Sequence, residues 1–156
     1  MNGSSSGLAS GTPGTQESLE QEELKTITSN NESSVALRDR SPISIPSSAI
    51  EKAEKKNGYD QIKYTWKRGE YTYTSRWHTR TPNAPQNQGN SWVVERRKSG
   101  IGYGENARPK QEEVLVGKNK WVSKQKWQAA IRARKNGTST KEQKEMLDHG
   151  HWKDSR

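Results

Sequence analysis

The chain has no cysteine and no phenylalanine. Without cysteine there are no disulfides, no thiol nucleophile and no Cys-ligated zinc. Apolar residues are also scarce. They make up 26% of 156 positions, against roughly 45–50%, with Gly counted as apolar, in an ordinary globular domain. No apolar run approaches the roughly 18 residues needed to cross a bilayer, so no span is expected. The first residues lack a basic segment followed by an apolar one, so no conventional secretory signal is read. No internal repeat is visible.

What aromatic content exists is confined to one part. All six Trp and five Tyr lie at or after Tyr59, and residues 1–46 consist largely of Ser, Gly, Thr, Asn, Pro and Glu. Such a composition cannot bury enough apolar surface to offset about 1–2 kcal/mol of backbone entropy per ordered residue. It predicts a disordered leader over 1–46 and a folded domain over 47–156. Charge divides at the same place. The leader carries six carboxylates and three cations, whereas the rest carries 24 cations and 12 carboxylates, a net charge of +12. An excess of that size attracts polyanions, nucleic acid before anionic membrane.

The pattern within 47–156 predicts an α+β domain. Ser48 and Glu51 have capping-box spacing, which predicts a short helix ending at Asn57-Gly58. Ile62, Tyr64 and Trp66 alternate with polar residues, as do Tyr71, Tyr73, Ser75 and Trp77 after a turn at Arg68-Gly69. This is a β-hairpin pattern. Residues 81–90 and 98–110 read as loops. Ser91–Arg97 and Glu112–Val116 complete a four-stranded antiparallel sheet. Two helices follow, one capped by Ser123 and stopped at Asn136-Gly137, the other opened by Ser139 and Glu142 and stopped at His149-Gly150.

The clearest chemical pattern is Arg76-Trp-His78-Thr-Arg80-Thr81. In a strand, 76, 78 and 80 share a face. An imidazole flanked by guanidiniums suits phosphodiester cleavage: the His moves protons and the cations stabilise the phosphorane. Glu95, among Val94, Arg96 and Arg97, is the candidate acid/base partner. Arg96, Arg97, Lys118, Lys120, Trp121 and Lys124 form a phosphate-tracking set with a stackable indole. Asp148, His149 and His151 are the alternative: a divalent-metal site, or a source of catalytic imidazole. The run Gly100-Ile-Gly-Tyr-Gly104 lacks the Lys-Ser/Thr of a phosphate loop.

The segments Tyr-Thr-Trp…Arg76-Trp-His-Thr-Arg-Thr-Pro-Asn-Ala-Pro…Gly-Asn-Ser-Trp-Val-Val and Trp127-Gln-Ala-Ala-Ile-Arg-Ala-Arg…Met-Leu-Asp-His-Gly-His-Trp resemble C-terminal toxin modules of bacterial polymorphic toxins. These are the tips of contact-dependent inhibition, Rhs and LXG proteins. The resemblance spans roughly residues 58–153. It implies a nuclease delivered into the cytoplasm of a competing cell and neutralised by a cognate, acidic immunity protein. The strand order is similar to that of the barnase, colicin and RelE-like ribonucleases, which implies a site of His78, Arg76, Arg80, Thr81 and Glu95. The two helices after the sheet depart from the simplest of those.

The expected activity is that of a ribonuclease needing no cofactor, because RNA supplies its own 2′-hydroxyl nucleophile. A DNase would instead need a divalent metal at the C-terminal His pair. The remaining alternatives are a non-catalytic basic module that binds nucleic acid or ribosomes, and another toxin chemistry such as ADP-ribosyl transfer.

Overall fold

The computed structural model describes residues 34–100, 105 and 110–154. Most of the expected leader, most of the loop over 98–110 and all but the first residue of the Gly100–Gly104 run lie outside these residues. The elements in order are α1 (Ser34–Asp39), β1 (Ile50–Lys56), β2 (Tyr59–Arg68), β3 (Tyr71–His78), a 3-10 turn (Gln86–Gln88), β4 (Ser91–Lys98), β5 (Gln111–Leu115), β6 (Trp121–Ser123), α2 (Lys124–Asn136), α3 (Lys141–Gly150) and β7 (Trp152–Lys153).

The strands form one antiparallel sheet in the order β1-β2-β3-β4-β5-β6. Strand β4 pairs with β7 through Ser91 and Trp92, and with β5 through Glu95–Lys98. The chain is therefore α+β with two helices near its C-terminus, as expected, but among the described residues the sheet has seven strands rather than four.

The expected helix over 48–56 is strand β1. Its Glu, Lys and Ala favour a helix locally, and pairing overrides that preference. Asn57-Gly58 is not a helix stop but the two-residue turn of a hairpin. Lys56 faces Tyr59 across it, and Gly58 has φ 89°. A Cβ at Gly58 would also lie 2.7 Å from Pro82 Cγ. The lysines of β1 suit an edge strand, where charge discourages pairing with another chain. The second hairpin forms as expected, with its turn one residue later than the sequence suggests: Arg68 faces Tyr71 across Gly69-Glu70.

Alternation gives the sheet two faces. Ile62, Tyr64, Trp66, Trp77 and Trp92 point to one and build a core with Leu37, Ala49 and Ala53. Leu37 is 1% exposed. Residues 34–46, assigned to the leader by composition, therefore belong to the folded unit. Ile43 and Ile45 pack on the same core. Arg40 donates to both carboxylate oxygens of Asp154, at 2.6 and 2.9 Å, and Trp77 Nε1 donates to Oδ2 at 3.0 Å.

The opposite face carries Val93 and Val114, covered by Trp127 and Ala130 of α2 and Leu147 of α3. Ser123 caps α2, its hydroxyl accepting from the Lys126 amide at 3.2 Å. Gly137 ends the helix at φ 74°, where a left-handed residue satisfies the last carbonyls. Helix α3 is capped one residue later than its sequence suggests. Thr140 and Gln143 form the capping box, not Ser139 and Glu142.

Candidate active site

The site forms where the C-terminal end of β3 meets the end of α3. His78 is the last residue of β3, on the helix-covered face, opposite Gln61 of β2 and Ser91 of β4. It is 5% exposed. His151 follows α3 directly and is 8% exposed. The two rings meet edge to face, with centroids 6.0 Å apart and planes at 88°. Tyr59 lies edge-on to His78 at 6.0 Å, and Trp127 tilts against His151 at 5.0 Å.

Backbone carbonyls fix the tautomer of both rings. His78 Nδ1 lies 3.0 Å from the Thr79 carbonyl oxygen, and His151 Nδ1 lies 2.7 Å from that of Leu147. A carbonyl only accepts, so each Nδ1 carries hydrogen and each Nε2 is left to exchange protons. Burial lowers the His78 pKa, and the charges of Arg76 and Arg134 push the same way against the Thr79 hydrogen bond. Burial also lowers His151, to about 4, with His78, Arg134 and Arg76 adding to the effect. Both rings are neutral at pH 7.

Both histidines line a pocket of about 490 Å³, with Tyr59, Arg76, Thr81, Arg134 and Lys135 among its other walls. Arg134 comes from α2, where it continues the stripe of Trp127, Ala130 and Ile131. Its NH1 donates to Gln88 Oε1 at 3.2 Å, and burial lowers its pKa. Arg76 pairs with Glu95 Oε2, while Lys124 Nζ donates to the other oxygen at 3.0 Å. Burial alone raises the Glu95 pKa, but Arg76 and Lys124 outweigh it and hold the carboxyl below its ordinary range.

The fold unites some of the sequence-nominated residues and separates others. His78, Arg76 and Thr81 share the pocket. Glu95 does not reach His78. It opposes Thr74, four residues back along β3, or about 13 Å at ~3.3 Å per residue. Arg80 lies beyond the strand end. Its Nε donates to the Pro85 carbonyl at 3.1 Å and its NH2 to that of Ala84, so it braces the loop. The imidazole expected between the guanidiniums of Arg76 and Arg80 is instead buried beside a second imidazole.

The phosphate-tracking set is dispersed. Arg96 sits on the opposite face between the Tyr71 and Trp121 rings, 4.4 and 4.1 Å from their centroids, with Glu113 accepting from its Nε at 2.8 Å. This guanidinium covers one side of the indole expected to stack on bases. Lys124 is paired with Glu95, and Arg97, Lys118 and Lys120 are exposed. Asp148 and His149 are exposed at the end of α3, whereas His151 is buried. Among the described residues no group of three or more His, Asp or Glu side chains is arranged to hold a metal ion.

His151 as the neighbour of His78, Arg134 as a pocket wall and Tyr59 were not foreseen as members of this site. Arg134 had a signal: a cation at i+7 on an otherwise apolar helix stripe. His151 had a weaker one, because Gly150 and Trp152 mark a chain reversal that can turn it inward. Comparisons with protein-family models, curated proteins and solved structures find no match to this chain.

Proposed function

We propose that this protein is a metal-independent ribonuclease of the polymorphic-toxin kind, with His78 and His151 as its proton-transfer pair. The observation that carries the reading is the pair itself. Two buried imidazoles, both protonated on Nδ1 by backbone contacts, lie 6.0 Å apart in a pocket walled by Arg76 and Arg134. The surrounding +12 charge on residues 47–156 supplies the attraction for a polyanion.

In this mechanism an RNA phosphate lies in the pocket that both rings line, facing Arg76 and Arg134. His151 Nε2 takes the proton of the 2′-hydroxyl as its oxygen bonds to phosphorus. The bond from phosphorus to the 5′-oxygen breaks, and that oxygen takes a proton from His78 Nε2. The products are a 2′,3′-cyclic phosphate and a 5′-hydroxyl. His78 must be charged to act as the acid, and the bound phosphate anion raises its pKa toward that state. The guanidiniums stabilise the additional negative charge of the phosphorane. The toxin role and an acidic immunity protein are part of the same proposal, resting on the motif resemblance and the basic surface.

The test is cleavage of RNA in excess EDTA by wild type, His78→Ala and His151→Ala. Each variant is expected to lose about 10²–10⁴-fold in rate, and the wild-type product is expected to end in a cyclic phosphate. DNA of the same sequence is expected to remain intact for lack of a 2′-hydroxyl. Undiminished cleavage by either variant would remove the pair from the chemistry.

A further inference from the structure

We infer that a second cleft beside the His pair is a nucleoside subsite, which takes the base and ribose adjoining the reacting phosphate. The inference rests on the ribonuclease reading above. This cleft is larger than the reaction pocket, about 1030 Å³, and Arg134 and His151 line both. A chain held at its phosphate in the pocket lined by the two imidazoles must send a nucleoside to each side. On the His151 side the space it enters is this cleft.

The lining offers a base the apolar surface that a phosphate alone would not use. Val116 and Leu147 supply apolar surface and the Trp152 indole an aromatic one, the surroundings in which a flat heterocycle is held by stacking and exclusion of water. Polar side chains stand beside this surface, Asn87, Gln88, Lys144 and Lys153 among them. Gln88 already gives its Oε1 to Arg134. The neighbouring Asn87 is exposed at the cleft, so its amide can both donate to and accept from a base edge. Lys118 stands at the rim, where the next phosphate along the strand would pass, and Asp148 lies on the same rim.

The experiment compares the wild-type chain with Asn87→Trp and Lys118→Trp. Both positions are exposed, so the bulky side chain fills the cleft mouth without entering the core. Uridine and adenosine 3′-monophosphates, which cannot be cleaved, and inorganic phosphate are titrated by calorimetry. For the wild type, at least one nucleotide is expected to bind tenfold or more tighter than phosphate. Both Trp variants are expected to lose that advantage, and Asn87→Trp, which removes no charge, is expected to keep its phosphate affinity. Equal binding of nucleotide and phosphate by wild type, or a tenfold advantage surviving in both variants, would overturn the subsite and leave the His-pair reading standing. If phosphate binds wild type no better than it binds His78→Ala and His151→Ala, the failure lies in the ribonuclease reading, and the subsite falls with it.

Discussion

Arg40 and Asp154 are joined by two hydrogen bonds across 114 residues of sequence. The pair fastens the segment after α1 to the end of the described chain. The Asp154 side chain is almost fully buried, so removing its partner leaves a buried charge uncompensated. Arg40→Ala is expected to cost about 3 kcal/mol, the lower end for breaking such a pair. Chemical denaturation measures it. A loss below about 0.5 kcal/mol would mean the N-terminal segment is only loosely attached.

Asp154 also makes stability pH-dependent. Burial tends to raise its pKa, but hydrogen bonds from Arg40 and Trp77 and the Arg40 charge hold it below the usual range. A carboxyl with a lowered folded pKa stabilises above its unfolded value, and that stability is lost as pH falls through the folded one. Unfolding curves at pH 6 and pH 3 should therefore converge partly in Asp154→Asn, relative to wild type.

Under the proposed ribonuclease mechanism, the His pair predicts an acidic optimum. His151, with a pKa of about 4, is a neutral base above that pH, and His78, lowered from 6.5, is an acid only below its own value. The profile of kcat/KM, which reports the free enzyme, is expected to be bell-shaped with its maximum between about 4 and 6.5. A maximum above pH 7 would contradict the assignment. Buried neutral imidazoles must also charge on acidification, so this part of the stability declines as pH falls from 6.5 toward 4.

Glu95 separates the two possible proton partners of His78. It touches Arg76 and Lys124 rather than the ring. Glu95→Gln is expected to leave the shape of the pH profile unchanged and to raise KM a few-fold, because Arg76 loses its anchor. Loss of one limb of the profile would return Glu95 to the proton transfer.

Gly150 lies under Trp127, and a Cβ there would come within 2.3 Å of the indole. Gly150→Ala must displace the ring that packs on His151. The expected cost is about 1–3 kcal/mol, read as a Tm drop of several degrees, with cleavage falling further than stability alone accounts for. An unchanged Tm would show that the contact relaxes freely.

The residues that carry short-range signals were legible in the sequence. The β2–β3 hairpin, β4, the Ser123 and Gly137 caps, and the placing of Arg76 and His78 on one face of β3 follow from alternation and turn chemistry, which act over a few residues. The errors occurred where distant contacts decide. Ile50–Lys56 has helical composition, and only pairing with β2 makes it a strand. Leu37 sits in a polar stretch, and only the Trp77 and Trp92 face gives it somewhere to bury. Glu95 is close to the pocket residues in sequence terms, but the antiparallel register carries it along the sheet to Thr74.

The sequence by itself determined that the chain is basic, without cysteine, poor in apolar residues, and equipped with an Arg-Trp-His strand end. Tertiary structure alone decided which group stands beside His78. The residues 78 and 151 approach because β7 returns to β4 and because α3 ends against Trp127 at a residue without a side chain. No local periodicity encodes a meeting across 73 positions; it is fixed by packing, which depends on the shapes of both faces of the sheet at once.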